Sequence, residues 1–157
     1  MICGFHHISF TVSDLAESER FFVDLMGMIR IGGGVYDFDY IKRTVDYPDA
    51  VLEVSVLMYS GQGEDDHILE LIEYRQPKGS PVDTATNRPG NAHLCLLVSG
   101  IEQEVKRLQK AGVKFKSPTP NEVTWGINRG AKAIYFNGPD GIALELLQQP
   151  DREGTAS

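Results

Sequence analysis

The sequence predicts an α+β fold made of two related modules, each running strand, helix, then further strands. Three observations carry this. Phe5-His6-His7-Ile8-Ser9-Phe10-Thr11-Val12-Ser13-Asp14 returns as Asn91-Ala92-His93-Leu94-Cys95-Leu96-Leu97-Val98-Ser99-Gly100, with His7 and His93 separated by 86 residues. Leu69-Glu70-Leu71-Ile72-Glu73 returns as Leu144-Glu145-Leu146-Leu147-Gln148, at an offset of 75. In both halves a stretch of period two is followed by one of helical period. Repetition on this scale describes architecture before chemistry. The difference in offsets leaves the first half about eleven residues longer, and residues 30–50 are where the extra length is expected.

The 157 residues suit a single domain over 1–150: module one at about 5–76, a linker at 77–91, module two at about 92–150. A net charge of −7 gives no basic footprint for a nucleic-acid backbone. No apolar run is long enough to span a membrane, and no basic segment followed by an apolar one opens the chain. Cys3 and Cys95 are the only cysteines and do not suggest a disulfide framework, so a cytoplasmic setting is expected.

In chain order, Ile8, Phe10 and Val12 alternate with His7, Ser9 and Thr11 as in a half-buried strand. Asp14 and Glu17 have capping-box spacing for a helix with Leu15, Phe21, Phe22, Leu25 and Met26 on its apolar stripe, stopped at Gly27. Gly32-Gly33-Gly34 reads as a loop. The aromatic-rich segment 35–50 reads as an edge strand or a pocket wall. Val51–Tyr59 alternates again, Gly61–Asp66 reads as a polar turn, and His67–Tyr74 as the next strand. Prolines and glycines between Arg75 and Asn91 mark the linker. His93–Val98 then reads as a strand, and Ser99 with Glu102 as a second capping box. Ile101, Val105 and Leu108 follow at helical spacing, with Gly112 as the stop and a strand starting at Val113–Lys116. Residues 117–130 hold the single tryptophan, Trp125, and form a loop long enough to be functional. Ala131–Phe136 and Ile142–Leu147 form a hairpin, and 151–157 a frayed tail.

Alternation also assigns faces, since residues i and i+2 share one. Ile8, Phe10 and Val12 suit the helix side and leave His7 opposite; Leu94, Leu96 and Val98 do the same for His93. Leu69 with Leu71, and Leu144 with Leu146, put Glu70 and Glu145 on the non-helix face. His6 falls on the helix side and its repeat counterpart is Ala92; His67 faces away from Glu70. A lone histidine at a strand start is more often structural. A carboxylate in an apolar strand is costly unless it is partnered. Two His–Glu pairs at repeat-related positions therefore point to a metal held by His7, Glu70, His93 and Glu145. Two imidazoles and two carboxylates suit one divalent ion: Zn, Ni, Co, Fe or Mn.

From residue 5 to 149 the chain resembles the vicinal oxygen chelate superfamily. The resemblance rests on His7-Ile8-Ser9-Phe10-Thr11-Val12-Ser13-Asp14-Leu15, Leu69-Glu70-Leu71, His93 with its strand and helix, and Asn137-Gly138-Pro139-Asp140-Gly141 through Leu144-Glu145-Leu146. That group contains glyoxalases, methylmalonyl-CoA epimerases, extradiol dioxygenases and bleomycin- or fosfomycin-resistance proteins. The resemblance implies two βαβββ modules whose curved mixed sheets form a cup around a metal site, with His7, Glu70, His93 and Glu145 as ligands. One ligand pair per module is the pattern of the glyoxalase and epimerase branches, whereas extradiol dioxygenases usually use two His and one Glu. Thr11 and Tyr74 stand where bacterial glyoxalases commonly carry Arg and Asn, and the epimerase branch commonly carries Gln at the position of Glu70.

The implied function is that of a metal-dependent lyase or isomerase, glyoxalase- or epimerase-like, acting on a small oxygenated substrate through a metal-chelated enediolate. Following the family, Glu145 is both ligand and proton shuttle. Glu53 is a second catalytic candidate, with Leu52, Val54 and Val56 taken as the helix face so that Glu53 enters the cup. Trp125, Asn128 and Arg129 are placed on a loop able to close over substrate. The alternatives are a metal-dependent dioxygenase of the same superfamily and a non-catalytic drug-binding resistance protein. A homodimer is expected from the resemblance.

Overall fold

Strand β1 (His7–Thr11) begins where the alternation begins, with Ile8 and Phe10 half-buried and His7, Ser9 and Thr11 exposed. The computed structural model describes residues 1–61 and 67–150; positions 62–66, most of the expected polar turn, and the expected tail 151–157 lie outside the described residues. The chain divides into two compact units, Met1–Val82 and Asp83–Ser157.

In the first unit, α1 (Leu15–Arg20) starts at the expected cap: Asp14 is extended, and its carboxylate accepts from the Glu17 N–H at 2.8 Å. Replacing Asp14 by Ala orphans that donor and is expected to cost about 1 kcal/mol of stability, read as a shift in denaturant midpoint. A second orphan donor, the Leu15 N–H, bonds to the Glu73 carboxylate at 3.0 Å, which ties α1 to the sheet. The helix widens into a π-helical turn at Phe21–Leu25, which drives Phe22 into full burial.

Strand β2 (Ile29–Tyr36) takes in Gly32-Gly33-Gly34, so the expected glycine loop is part of a strand. The reason is proximity. A Cβ on Gly33 would lie 2.1 Å from the Val54 carbonyl oxygen, and the register with the next strand shifts between Arg30 and Gly32. Glycine inside a strand commonly marks such a close approach or bulge. The aromatic segment then forms a helix that sequence reasoning did not anticipate, α2 (Asp39–Val45), at whose start Phe38 stacks on Tyr40 and tilts against Tyr36.

Strands β3 (Val51–Met58) and β4 (Ile68–Gln76) complete a four-stranded mixed sheet ordered β1-β4-β3-β2, with β1 parallel to β4 and the other pairs antiparallel. Helix α1 packs on β3 and β4.

The second unit repeats the plan. Strand β5 (His93–Leu97) pairs in parallel with β8 (Ala143–Gln148); β7 (Lys132–Asn137) and the short β6 (Asn121–Glu122) follow antiparallel, giving the order β5-β8-β7-β6. Helix α3 (Ile101–Lys110) buries Ile101, Val105 and Leu108, as its spacing predicts. Its start differs from expectation. The cap is Gly100, in the left-handed region at φ 73°, and no side-chain capping bond forms from it. Instead the Ile101 N–H bonds to the Gln148 side chain at 2.7 Å. Gln148 is the repeat counterpart of Glu73, and Ile101 that of Leu15. In each unit the last residue of the repeated segment, Glu73 or Gln148, thus satisfies the first N–H of that unit's helix. Residues 113–116 form no strand; only a Phe115–Phe136 bridge appears there.

The two units are therefore open mixed sheets with few helices, an α+β architecture of strand, helix and three strands. Among the described residues, no helix is long and apolar enough to cross a membrane.

Candidate metal centre

Register fixes which side chains share a face. Glu70 aligns with Ser9 on β1 and with Val56 on β3, while Leu69 and Leu71 align with Ile8, Phe10, Leu57 and Ser55. Glu73, which holds the start of α1, belongs to the second set, so α1 covers the Leu69–Leu71 face and Glu70 is opposite. His7 joins Glu70: its Nε2 lies 3.5 Å from a Glu70 oxygen, with both side chains part-exposed. In the second unit Glu145 aligns with Cys95 and Tyr135, and α3 lies on the other face, that of Gln148, Leu144 and Leu146. His93 Nε2 is 3.1 Å from the Glu145 carboxylate, of which only 14% is exposed.

These separations suit shared metal ligands. Two donors about 2.1 Å from one ion stand about 3.0 Å apart at octahedral angles and about 3.4 Å at tetrahedral ones. Each pair couples a borderline nitrogen with a hard oxygen, the donor set of a divalent first-row ion. The structure thus brings His7 to Glu70 and His93 to Glu145. Among the described residues, no group of three or more His, Cys, Asp or Glu side chains has the arrangement of a metal site.

Glu53 needs correction. It aligns with Glu73 across β3–β4, which places it on the α1 face, away from Glu70. There its carboxylate accepts from the Arg75 guanidinium, whose Nε stands at 2.7 Å. Alternation misjudged it because the more apolar set of β3, Leu52, Val54 and Val56, shares the face of Glu70, while Ser55 and Leu57 are buried on the α1 side. Only pairing with β4 decides between the two faces. His6 precedes β1, where alternation does not apply, and its Nδ1 lies 2.9 Å from His7 Nδ1. A metal-binding imidazole commonly has such a partner on its other nitrogen. His67 is engaged with the Phe5 ring, 4.5 Å between centroids. Trp125 and Ile127 on the long loop are almost fully exposed.

Two further groups surround the second pair. The Tyr135 hydroxyl is 3.1 Å from His93 Nε2, and its ring tilts against the imidazole at 5.1 Å. Burial, then the bond to Glu145 and its charge, push the Tyr135 phenol up to about 12. Burial, then the charge of Glu145, raise the Cys95 thiol to about 11. Both groups therefore remain protonated donors beside the carboxylate. Counting symmetrically across the Asn137–Gly141 turn sets Ala133 opposite Glu145; the observed register, Asn137 with Ala143, puts Tyr135 there instead.

The chain belongs to the Glyoxalase/Bleomycin resistance protein/Dioxygenase superfamily, whose family model matches residues 4–146. The sequence is 27% identical over 148 residues to the 2-epi-5-epi-valiolone epimerase of an Actinomyces species, covering 92% of this chain and 79% of that one. Among solved structures it is similar to a glyoxalase family protein of Bacillus cereus, with a TM-score of 0.78 at 20% identity and 96% of each chain covered. It is also similar to the trypanothione-dependent glyoxalase I of Leishmania major, with a TM-score of 0.66 at 20% identity over 94% and 87% of the chains. The fosfomycin resistance protein FosX of Listeria monocytogenes, crystallised with Mn(II), superposes with a TM-score of 0.59 at 18% identity over 98% of each chain. At these identities the structural likenesses establish the fold. Members of the superfamily often act on small molecules and are often dimeric.

Proposed function

We propose that this protein is a divalent-metal-dependent isomerase or lyase of epimerase or glyoxalase type, acting on a small substrate with adjacent oxygens. His7, Glu70, His93 and Glu145 are the residues that would hold the ion. The observation that carries this reading is the His–Glu pair repeated at equivalent strand positions, with donor separations of 3.5 and 3.1 Å. The epimerase relative and the Mn(II) found in FosX support it.

A divalent ion bound there supplies Lewis-acid polarisation of a substrate carbonyl, which acidifies the neighbouring C–H. The chain's own part is proton handling. Glu145 accepts the proton from that carbon and, in an isomerisation, returns it to the neighbouring carbon; an epimerisation needs in addition a proton donor on the opposite face of the same carbon. Its carboxylate is largely shielded from water beside His93, and Tyr135 and Cys95 next to it are neutral hydrogen-bond donors. Thr11 and Tyr74, on the Glu70 face by alternation, are placed to shape the pocket wall.

The test is metal titration of the purified full chain, followed by incubation with 2-hydroxycarbonyl compounds in deuterium oxide. Mn²⁺, Ni²⁺ or Zn²⁺ should bind at one equivalent per chain. Deuterium should then enter carbon next to the carbonyl in the loaded protein only. Exchange at the same rate after complete metal removal would refute the reading, and substrate-linked O₂ consumption would point to the dioxygenase chemistry of the superfamily.

A further inference from the structure

We infer that Tyr135 is a positioning residue whose phenol hydroxyl holds the Glu145 carboxylate for metal binding, making the second unit's His–Glu pair the firmer of the two. The inference rests on the proposed metal reading, and it starts from a difference between two otherwise repeated half-sites. Across β7–β8 the residue aligned with Glu145 is Tyr135; across β3–β4 the residue aligned with Glu70 is Val56. A valine side chain has no hydrogen-bonding group, so on the antiparallel side β7 offers Glu145 a phenol where β3 offers Glu70 nothing; on the parallel side Glu70 has Ser9 and Glu145 has Cys95. The His–carboxylate separation follows the same order, 3.1 Å with Tyr135 beside it and 3.5 Å with Val56.

The hydroxyl's partner is decided by the chemistry of the three groups. Tyr135 Oη lies 3.1 Å from His93 Nε2, which itself lies 3.1 Å from Glu145 Oε2, and Tyr135 and Glu145 face each other across β7–β8. Nε2 has a single lone pair when it bears no proton. Given to an ion, that lone pair is no longer available to the phenol. The carboxylate has two oxygens and about four lone-pair directions, so it accepts from Tyr135 and coordinates at the same time. A phenol is protonated at neutral pH, so the donor is present wherever the protein works. Such a bond holds the coordinating carboxylate in one rotamer once His93 has turned its lone pair to the ion, and outer partners of this kind commonly change affinity by about 10–100-fold.

Calorimetric titration of the full chain with Mn²⁺, Ni²⁺ and Zn²⁺, beside the Tyr135→Phe variant, tests this. Phenylalanine keeps the ring packed on His93 and removes only the donor. The expected result is a Kd raised about tenfold or more for each ion, with the thermal midpoint of the metal-free protein unchanged. A structural role would move that midpoint in the metal-free protein and leave the Kd alone. Parental Kd values in Tyr135→Phe overturn this inference while the metal reading stands. A parent chain that binds none of the three ions overturns both.

Discussion

Substituting Gln for Glu145 is expected to abolish turnover and most metal affinity while leaving the fold intact. The amide has the carboxylate's shape, so β8 keeps its pairing with β5 and β7, and the buried Leu144 and Leu146 on the opposite face are untouched. The loss is chemical. A neutral amide is a poor ligand for a hard or borderline ion, so affinity should fall beyond the roughly 10–100-fold expected of an outer-partner change. It also cannot take a proton from carbon, and loss of a positioned general base typically costs about 10²–10⁴-fold in rate. Glu70→Gln provides the contrast. Glu70 is more exposed, at 25% against 14%, and stands 3.5 Å rather than 3.1 Å from its histidine. Its replacement should weaken metal binding less and leave measurable deuterium exchange. Metal titration, exchange rate and denaturant midpoint of both variants decide the matter. A Glu145→Gln protein with parental affinity and exchange would remove Glu145 from the centre of the mechanism.

Much of this was legible because the sequence repeats itself. His7, Glu70, His93 and Glu145 could be given faces because the strands around Glu70 and Glu145 are apolar on both sides of the carboxylate and β1 and β5 have clear helix-side residues. Distances of 3.5 and 3.1 Å within the pairs agree with those faces. The same method failed on β3, where alternation is clear but residues on both faces are buried and the more apolar set lies on the Glu70 side, so Glu53 went to the wrong face. It also missed the start of α3, though not that of α1. Ser99 and Glu102 have capping spacing, yet the Ile101 donor is met from β8 by Gln148, a contact between residues distant in sequence. The alignment contained the clue, because Glu73 and Gln148 occupy one repeat position and meet Leu15 and Ile101 at another. Tyr135 was hidden for a related reason: a hydroxyl on a strand has no meaning until the hairpin register puts it opposite Glu145.

Replacing Gly33 by Ala is expected to be the most destabilising single-methyl change in the first unit. Local propensity reads three consecutive glycines as a loop, because each adds backbone entropy and none packs a side chain. The pairing of Gly32, Gly33 and Gly34 with Val56, Ser55 and Val54 overrides that propensity. At Gly33 the two backbones come so close that an added Cβ would stand 2.1 Å from the Val54 carbonyl oxygen and 3.0 Å from the Ser55 Cα. Both obstacles are backbone, so neither can rotate away, and φ of +119° adds strain of about 1–3 kcal/mol for any L side chain. Gly34 separates the two contributions. Its φ is +149°, yet nothing lies within 4 Å of the Cβ it lacks. Gly34→Ala should therefore show the conformational cost alone, and Gly33→Ala that cost plus the displacement of β2 from β3, about 3 kcal/mol or more in total. Denaturant midpoints of the two variants, taken with their m-values, measure the difference. Equal losses would mean that steric approach to Val54 contributes nothing, and that β2 tolerates a side chain at the point where it turns its edge against β3.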